Sequence, residues 1–154
     1  MRNLIIAFTC LFLTQCTHSR VSPVGNGQAI QKVYIVKNDK VHMSGLLPEM
    51  DKQIQAMGYA TEIVAEEPVT NVHYLTFTAN WKWDVAMYLS YFKATLHEGP
   101  RIVGTGEYDA RFAGLALTKF GHTDDKIRPV LLRLFGKSVP KKEFVAPAPL
   151  NPIR

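Results

Sequence analysis

Asp84, Glu107 and Asp109 are the carboxylates whose spacing comes nearest to acid–base chemistry. Glu107 and Asp109 stand two apart, so on a strand they share a face, as a general acid and its partner base would. Solvated strand residues beside a turn have the same pattern. A hydrolase or lyase built on Asp84, Glu107 and His73 would require the three to converge in one cleft with a perturbed pKa among them. His73, His97 and His122 lie more than five residues from one another, which excludes the close spacing of a zinc motif. Gly104-Thr-Gly106 falls inside a strand pattern and lacks the third glycine of a dinucleotide loop, so close packing or a bulge explains it better. No Gly-x-Ser-x-Gly elbow and no complete Gly-x-x-x-x-Gly-Lys-Ser/Thr phosphate loop occurs. The sequence therefore assigns no catalytic residue, no metal ligand and no cofactor.

The most distinctive chemistry is aromatic. Tyr74 to Leu89 carries Trp81 and Trp83 two residues apart, facing the same way if the strand continues through them. Two readings stand side by side: a core aromatic pair between sheet and helices, or an exposed ledge that binds an envelope glycan or peptide.

The elements that would position these residues follow a signal-like start. Arg2 precedes Leu4 to Leu13, ten residues of which nine are apolar. As a helix this run spans about 15 Å, half of a bilayer core, which fits a secretory signal and not a stable membrane anchor. Leu13-Thr14-Gln15-Cys16 resembles the lipobox of bacterial lipoproteins, with an apolar residue three before the cysteine; Gln15 departs from the usual small residue there. The resemblance implies cleavage after residue 15 and lipidation of Cys16, and Thr17 in place of Asp implies the outer membrane. Cys10 would leave with the signal, so the mature chain would have no free thiol and no disulfide, and cysteine chemistry drops out.

Thr17 to Gln28 is polar, carries Pro23, Gly25 and Gly27, and is expected to be the rest of a flexible spacer over 16–28. Residues 139–154 hold four of the nine prolines and are expected to form a disordered Pro-rich tail. Between them, residues 29–138 suffice for one two-layer domain.

Within it, 32–37 reads as a strand. Leu46, Leu47, Met50, Ile54 and Met57 mark an amphipathic helix with Pro48 early and Gly58 just beyond. Residues 59–66 and 72–79 read as strands, and 85–96 pairs with 101–109 across His97-Glu98-Gly99-Pro100 as a hairpin. A last helix opens at Thr123 as N-cap with Asp124 and Asp125 in its first turn, and Pro129 is expected to kink it or delay its start. The order β-α-β-β-β-β-α predicts an α+β fold: a largely antiparallel β-sheet with two helices packed on one face.

Net charge is +5, but residues 29–138 carry 13 basic against 12 acidic side chains, so four of the five surplus charges lie in the ends. A nearly neutral domain argues against nucleic acid as a partner.

Leu75 to Tyr88, Gly106-Glu-Tyr-Asp-Ala110 and Lys119-Phe-Gly-His-Thr123, followed by Lys126 to Pro129, resemble a family of uncharacterised proteobacterial envelope lipoproteins. That resemblance implies location and fold and no catalytic residue. The expectation is a non-enzymatic lipoprotein on the periplasmic face of the Gram-negative outer membrane, held there by Cys16 and acting as an interaction or envelope-maintenance module. A glycan- or peptide-binding module using Trp81 and Trp83 is the alternative. Oligomeric state is left open.

Overall fold

A computed structural model describes residues 17–25, 30–114 and 117–140. The elements are β1 (His18–Ser22), β2 (Lys32–Val36), α1 (Leu46–Ala56), β3 (Ala60–Val64), β4 (His73–Asp84), β5 (Ala86–Glu98), β6 (Arg101–Asp109), a 3-10 turn (Leu117–Phe120) and α2 (Thr123–Leu134). The strands form one six-stranded sheet in the order β1-β6-β5-β4-β2-β3. The three ladders from β1 to β4 are antiparallel, while β2 lies parallel to both β3 and β4. The parallel β2–β3 pair needs a crossover, and α1 supplies it.

Local sequence explains most of these elements. Val33 and Ile35 are fully buried on β2 and alternate with the more accessible Lys32, Tyr34 and Val36, as a strand with one core face should. In α1, Leu46, Met50 and Ile54 recur at i, i+4 and i+8 on the buried side. Pro48 sits in the first turn, where its missing N–H costs no helical bond, and Gly58 at φ 94° ends the helix. The expected fold class and element order are present, with both helices against one face of the sheet.

Four expectations change in detail. The presumed spacer contains β1, which pairs along its whole length with β6, His18 opposite Asp109 and Ser22 opposite Thr105. Its polar residues suit an edge strand with one face in solvent, a pattern that local composition does not distinguish from a linker. β4 does not stop at Ala79; it runs through Trp81 and Trp83 to Asp84. His122, not Thr123, occupies the N-cap of α2, with no side-chain cap bond. The helix then runs from Thr123 to Leu134 with Pro129 inside it, so the proline removes an i→i−4 bond without delaying the start.

The core lies between the sheet and the helices. Leu75, Phe77, Phe92, Ala94 and Leu96 from the sheet meet Leu46, Met50 and Ile54 of α1 and Ile127, Val130, Leu131 and Leu134 of α2. Gly104 and Gly106 lie beneath α2 at the closest approach: a Cβ on Gly106 would come within 2.6 Å of Val130 Cγ1, and one on Gly104 within 2.8 Å of Leu134 Cδ1. The Gly-Thr-Gly pattern implied close packing or a bulge, and both occur here, since the β5–β6 register also shifts beside Gly104, where Leu96 faces Gly104 but His97 faces Ile102.

Candidate functional site

β4 and β5 are the longest strands, 12 and 13 residues, and together they build an arm that reaches past the core. Their register shifts at Asn80 and Trp81, where Asn80 faces Tyr91 but Trp81 faces Leu89. Ser90 is the extra residue of this bulge. It is fully buried, its hydroxyl donates to the carbonyl of Asn80 at 3.0 Å, and its own carbonyl accepts from the Ala110 N–H at 2.8 Å. Such a bulge bends and twists the strands, re-aiming everything beyond it.

Past the bulge the arm runs four more pairs, Trp81 with Leu89 to Asp84 with Ala86, and turns at Val85. Val85 has φ 56°, a left-handed backbone that is strained for a β-branched residue. The end of the arm is apolar and open to solvent: Trp83 is 73% exposed, Val85 88% and Met87 54%. Leu117, on the adjoining 3-10 turn, is 81% exposed.

Lys119 fastens the arm to that turn. Its side chain is 2% exposed as a residue, yet its ammonium donates to Asp84 Oδ2 at 2.5 Å and to the carbonyl of Gly114. The Tyr88 and Phe120 rings face the same ammonium, at 5.1 and 5.0 Å to their centroids, so π faces supplement the carboxylate. Lys126 on α2 donates to the Lys119 carbonyl, and burial pushes the Lys126 amine below its ordinary value.

At the base of the arm, Trp81 is half-buried against the core and lines a groove of about 340 Å³ with Met43, Leu46, Glu49, His122 and Asp124. Aromatic and polar groups therefore meet there. The two tryptophans face the same way, as the continued strand requires, but the core ends between them. Trp81 belongs to its rim and Trp83 stands beyond it.

The residues singled out for acid–base chemistry do not converge. His73 and Asp84 are the two ends of β4, eleven residues apart, or about 36 Å at the rise of an extended strand. His73 lies at the far end, its Nε2 buried without a hydrogen-bond partner and 4.0 Å from a Glu98 carboxylate oxygen. Glu107 is on β6, opposite Arg20 of β1 and Lys93 of β5, on the face that the helices leave open. Asp109 is engaged by Arg111, whose guanidinium holds its carboxyl below the usual range. His97 stacks on Tyr74 at 4.5 Å and lies 3.1 Å from the Thr76 hydroxyl; burial pushes its imidazole down, with the Glu67 charge opposing. Among the described residues no group of three His, Cys, Asp or Glu is disposed to hold a metal ion. Cys16, residues 1–15 and the tail beyond 140 lie outside the described residues.

Sequence reasoning missed Val85, Met87 and Lys119. A hairpin turn at Val85 has no Asn-Gly or Asp-Gly signal to mark it, and a lone lysine carries no sign of burial.

No protein-family model and no curated protein sequence matches the chain. Among solved structures it is similar to PelC from Paraburkholderia phytofirmans, solved as a dodecamer: TM-score 0.53, 14% identity, covering 77% of this chain and 97% of PelC. A point variant of PelC, in another crystal form, aligns with a TM-score of 0.49 and 12% identity over 75% of this chain and 98% of that one. The likeness is one of fold. No described helix is long and apolar enough to cross a membrane.

Proposed function

We propose that this protein is a non-enzymatic lipoprotein, anchored through Cys16 to the periplasmic face of the outer membrane, that works as an interaction module. The observation that carries the reading is the arm: Trp83, Val85 and Met87 are held out to solvent on a braced hairpin instead of being packed into the adjacent core. Exposed aromatic and aliphatic side chains on a rigid element are the means of a binding surface. The separation of Asp84, Glu107 and His73 removes the one arrangement of these residues that would have favoured hydrolysis or elimination. Self-association belongs to the same proposal, supported by the fold shared with a protein solved as a dodecamer.

Mass spectrometry of the N-terminus, on protein purified from its native membrane, tests the anchor: a chain beginning at Cys16 and carrying acyl groups is expected, and an unmodified cysteine rejects it. In-cell crosslinking from a photoreactive residue at position 83 tests the interaction surface. Adducts are expected at the arm and not from a control at the exposed position 40; equal yields from both reject the arm as the surface.

A second reading has its own observation, the groove in which Trp81 sits beside Glu49, His122 and Asp124. An indole flanked by carboxylates is suited to the apolar face and hydroxyls of a sugar, or to a cationic peptide. Titration with soluble envelope glycan fragments should quench the emission of a W83F variant, in which Trp81 is the remaining tryptophan. An unchanged spectrum rejects this reading.

A further inference from the structure

The ladder register places the start of the described chain and the apolar arm at the same end of the molecule. His18 of β1 pairs with Asp109, Asp109 with Tyr91 of β5, and Tyr91 with Asn80 of β4, so these four residues form one row across the sheet. From that row the arm extends four residues further along β4 to Asp84, about 13 Å at the rise of a strand. Cys16 precedes His18 by two positions, a chain length of at most about 7 Å.

Because β1 is part of the sheet and not spacer, a lipid on Cys16 would join the domain beside this row, with almost no slack. The bilayer that holds the acyl chains then faces the same end as Trp83, Val85, Met87 and Leu117. The charges of the arm suit such a surface. Residues 82–87 contain Lys82 and Asp84, and Asp84 is paired to Lys119, so the arm with its brace presents no bare carboxylate and a net charge of +1.

We propose that the β4–β5 arm is a second membrane contact: a wedge whose Trp83, Val85 and Met87 enter the interfacial layer of the leaflet that the Cys16 lipid occupies. This rests on the anchored reading above. Tryptophan is at home at that depth because its ring is apolar and its N–H polar, and the flanking valine and methionine add apolar area without charge. Two weak contacts joined by a short tether act together, since the anchor gives the arm a high effective concentration at the lipid surface. The left-handed Val85 is consistent with this role: an Asn or Gly there would relieve the backbone and lose the apolar tip.

The test uses full-length protein, acylated and as Cys16→Ala, in a W81F background that leaves Trp83 as the remaining tryptophan. The probe is vesicles of phosphatidylethanolamine and phosphatidylglycerol with brominated acyl chains. With the acylated protein, Trp83 emission should shift to the blue, lose about half its intensity to bromine and become shielded from acrylamide; V85S/M87S should at least halve that quenching. Unshifted, acrylamide-accessible emission from protein that still floats with the vesicles overturns the wedge while sparing the anchor. Emission shielded from both quenchers, with a mass of two or more copies in light scattering, assigns the arm to another copy and also overturns it. The mass of the Cys16 peptide reports on the anchor separately. If the cysteine is unmodified, bromine quenching of the floating C16A protein still supports the wedge, and its absence rejects it.

Discussion

Lys119 shows how one buried charge can organise a surface. Its ammonium is out of water and held by a half-exposed carboxylate, a carbonyl and two ring faces. Removing only the carboxylate leaves a cation with incomplete compensation, whereas removing both charges does not. Asp84→Ala is therefore expected to lower stability by about 2 kcal/mol, reduced from the fully buried case because solvent reaches the carboxylate. Adding Lys119→Met to that variant should recover most of the loss, as read from urea midpoints of the full cycle.

His97 supplies a pH dependence. Burial lowers its folded pKa, so just below the ordinary histidine value the unfolded chain binds more protons than the folded one. Stability must then fall as the pH drops through that window. His97→Phe keeps a ring on Tyr74 and removes the titration, and should flatten the change in urea midpoint between about pH 7 and 5. An unchanged slope would trace the effect to another group.

At the level of elements, the fit of α2 on β6 decides how close helix and sheet can come. Gly106 has no room for a methyl group, because Val130 Cγ1 would stand 2.6 Å from it and the Val130 carbonyl 3.4 Å. Gly106→Ala should cost about 2 kcal/mol through overpacking, and Val130→Ala in the same chain should return part of it. Thermal melts of the two variants check both signs. Local signals marked α1 well, since Pro48, the i, i+4 apolar series and Gly58 all act within one helix. They failed for β1 and the end of β4. The residues of β1 read as linker until β6 pairs with them, and Asn80 to Asp84 read as the connection between two strands until pairing with β5 extends β4 through them and moves the turn to Val85.

For the whole molecule, the helices cover one sheet face and leave the other to Tyr34, Tyr74, Thr78, Lys93 and Glu107. Among the described residues the buried core runs from Val33 to Phe135, and Cys16 precedes the first strand. Cys16→Ala should therefore shift the protein from the membrane to the soluble fraction, or weaken its retention strongly, with an unchanged melting temperature. A lower melting temperature would mean that the N-terminal segment contributes to the fold.

The sequence by itself determined the class of the fold, the order of its principal strands and helices, and the near-neutrality of its central domain. Each of these rests on periodicity, turn chemistry and charge, which are properties of neighbouring residues. Tertiary structure decided which aromatic residues were core and which were surface. Trp81 and Trp83 are the same residue type on the same strand face, and they differ only in that the helices reach one and stop short of the other. It also set Asp84, Glu107 and His73 apart, and aligned the first residues of β1 with the apolar arm. Those relations depend on which strands pair and in what register, and pairing between segments tens of residues apart is fixed by burial of the whole core, which no local window contains.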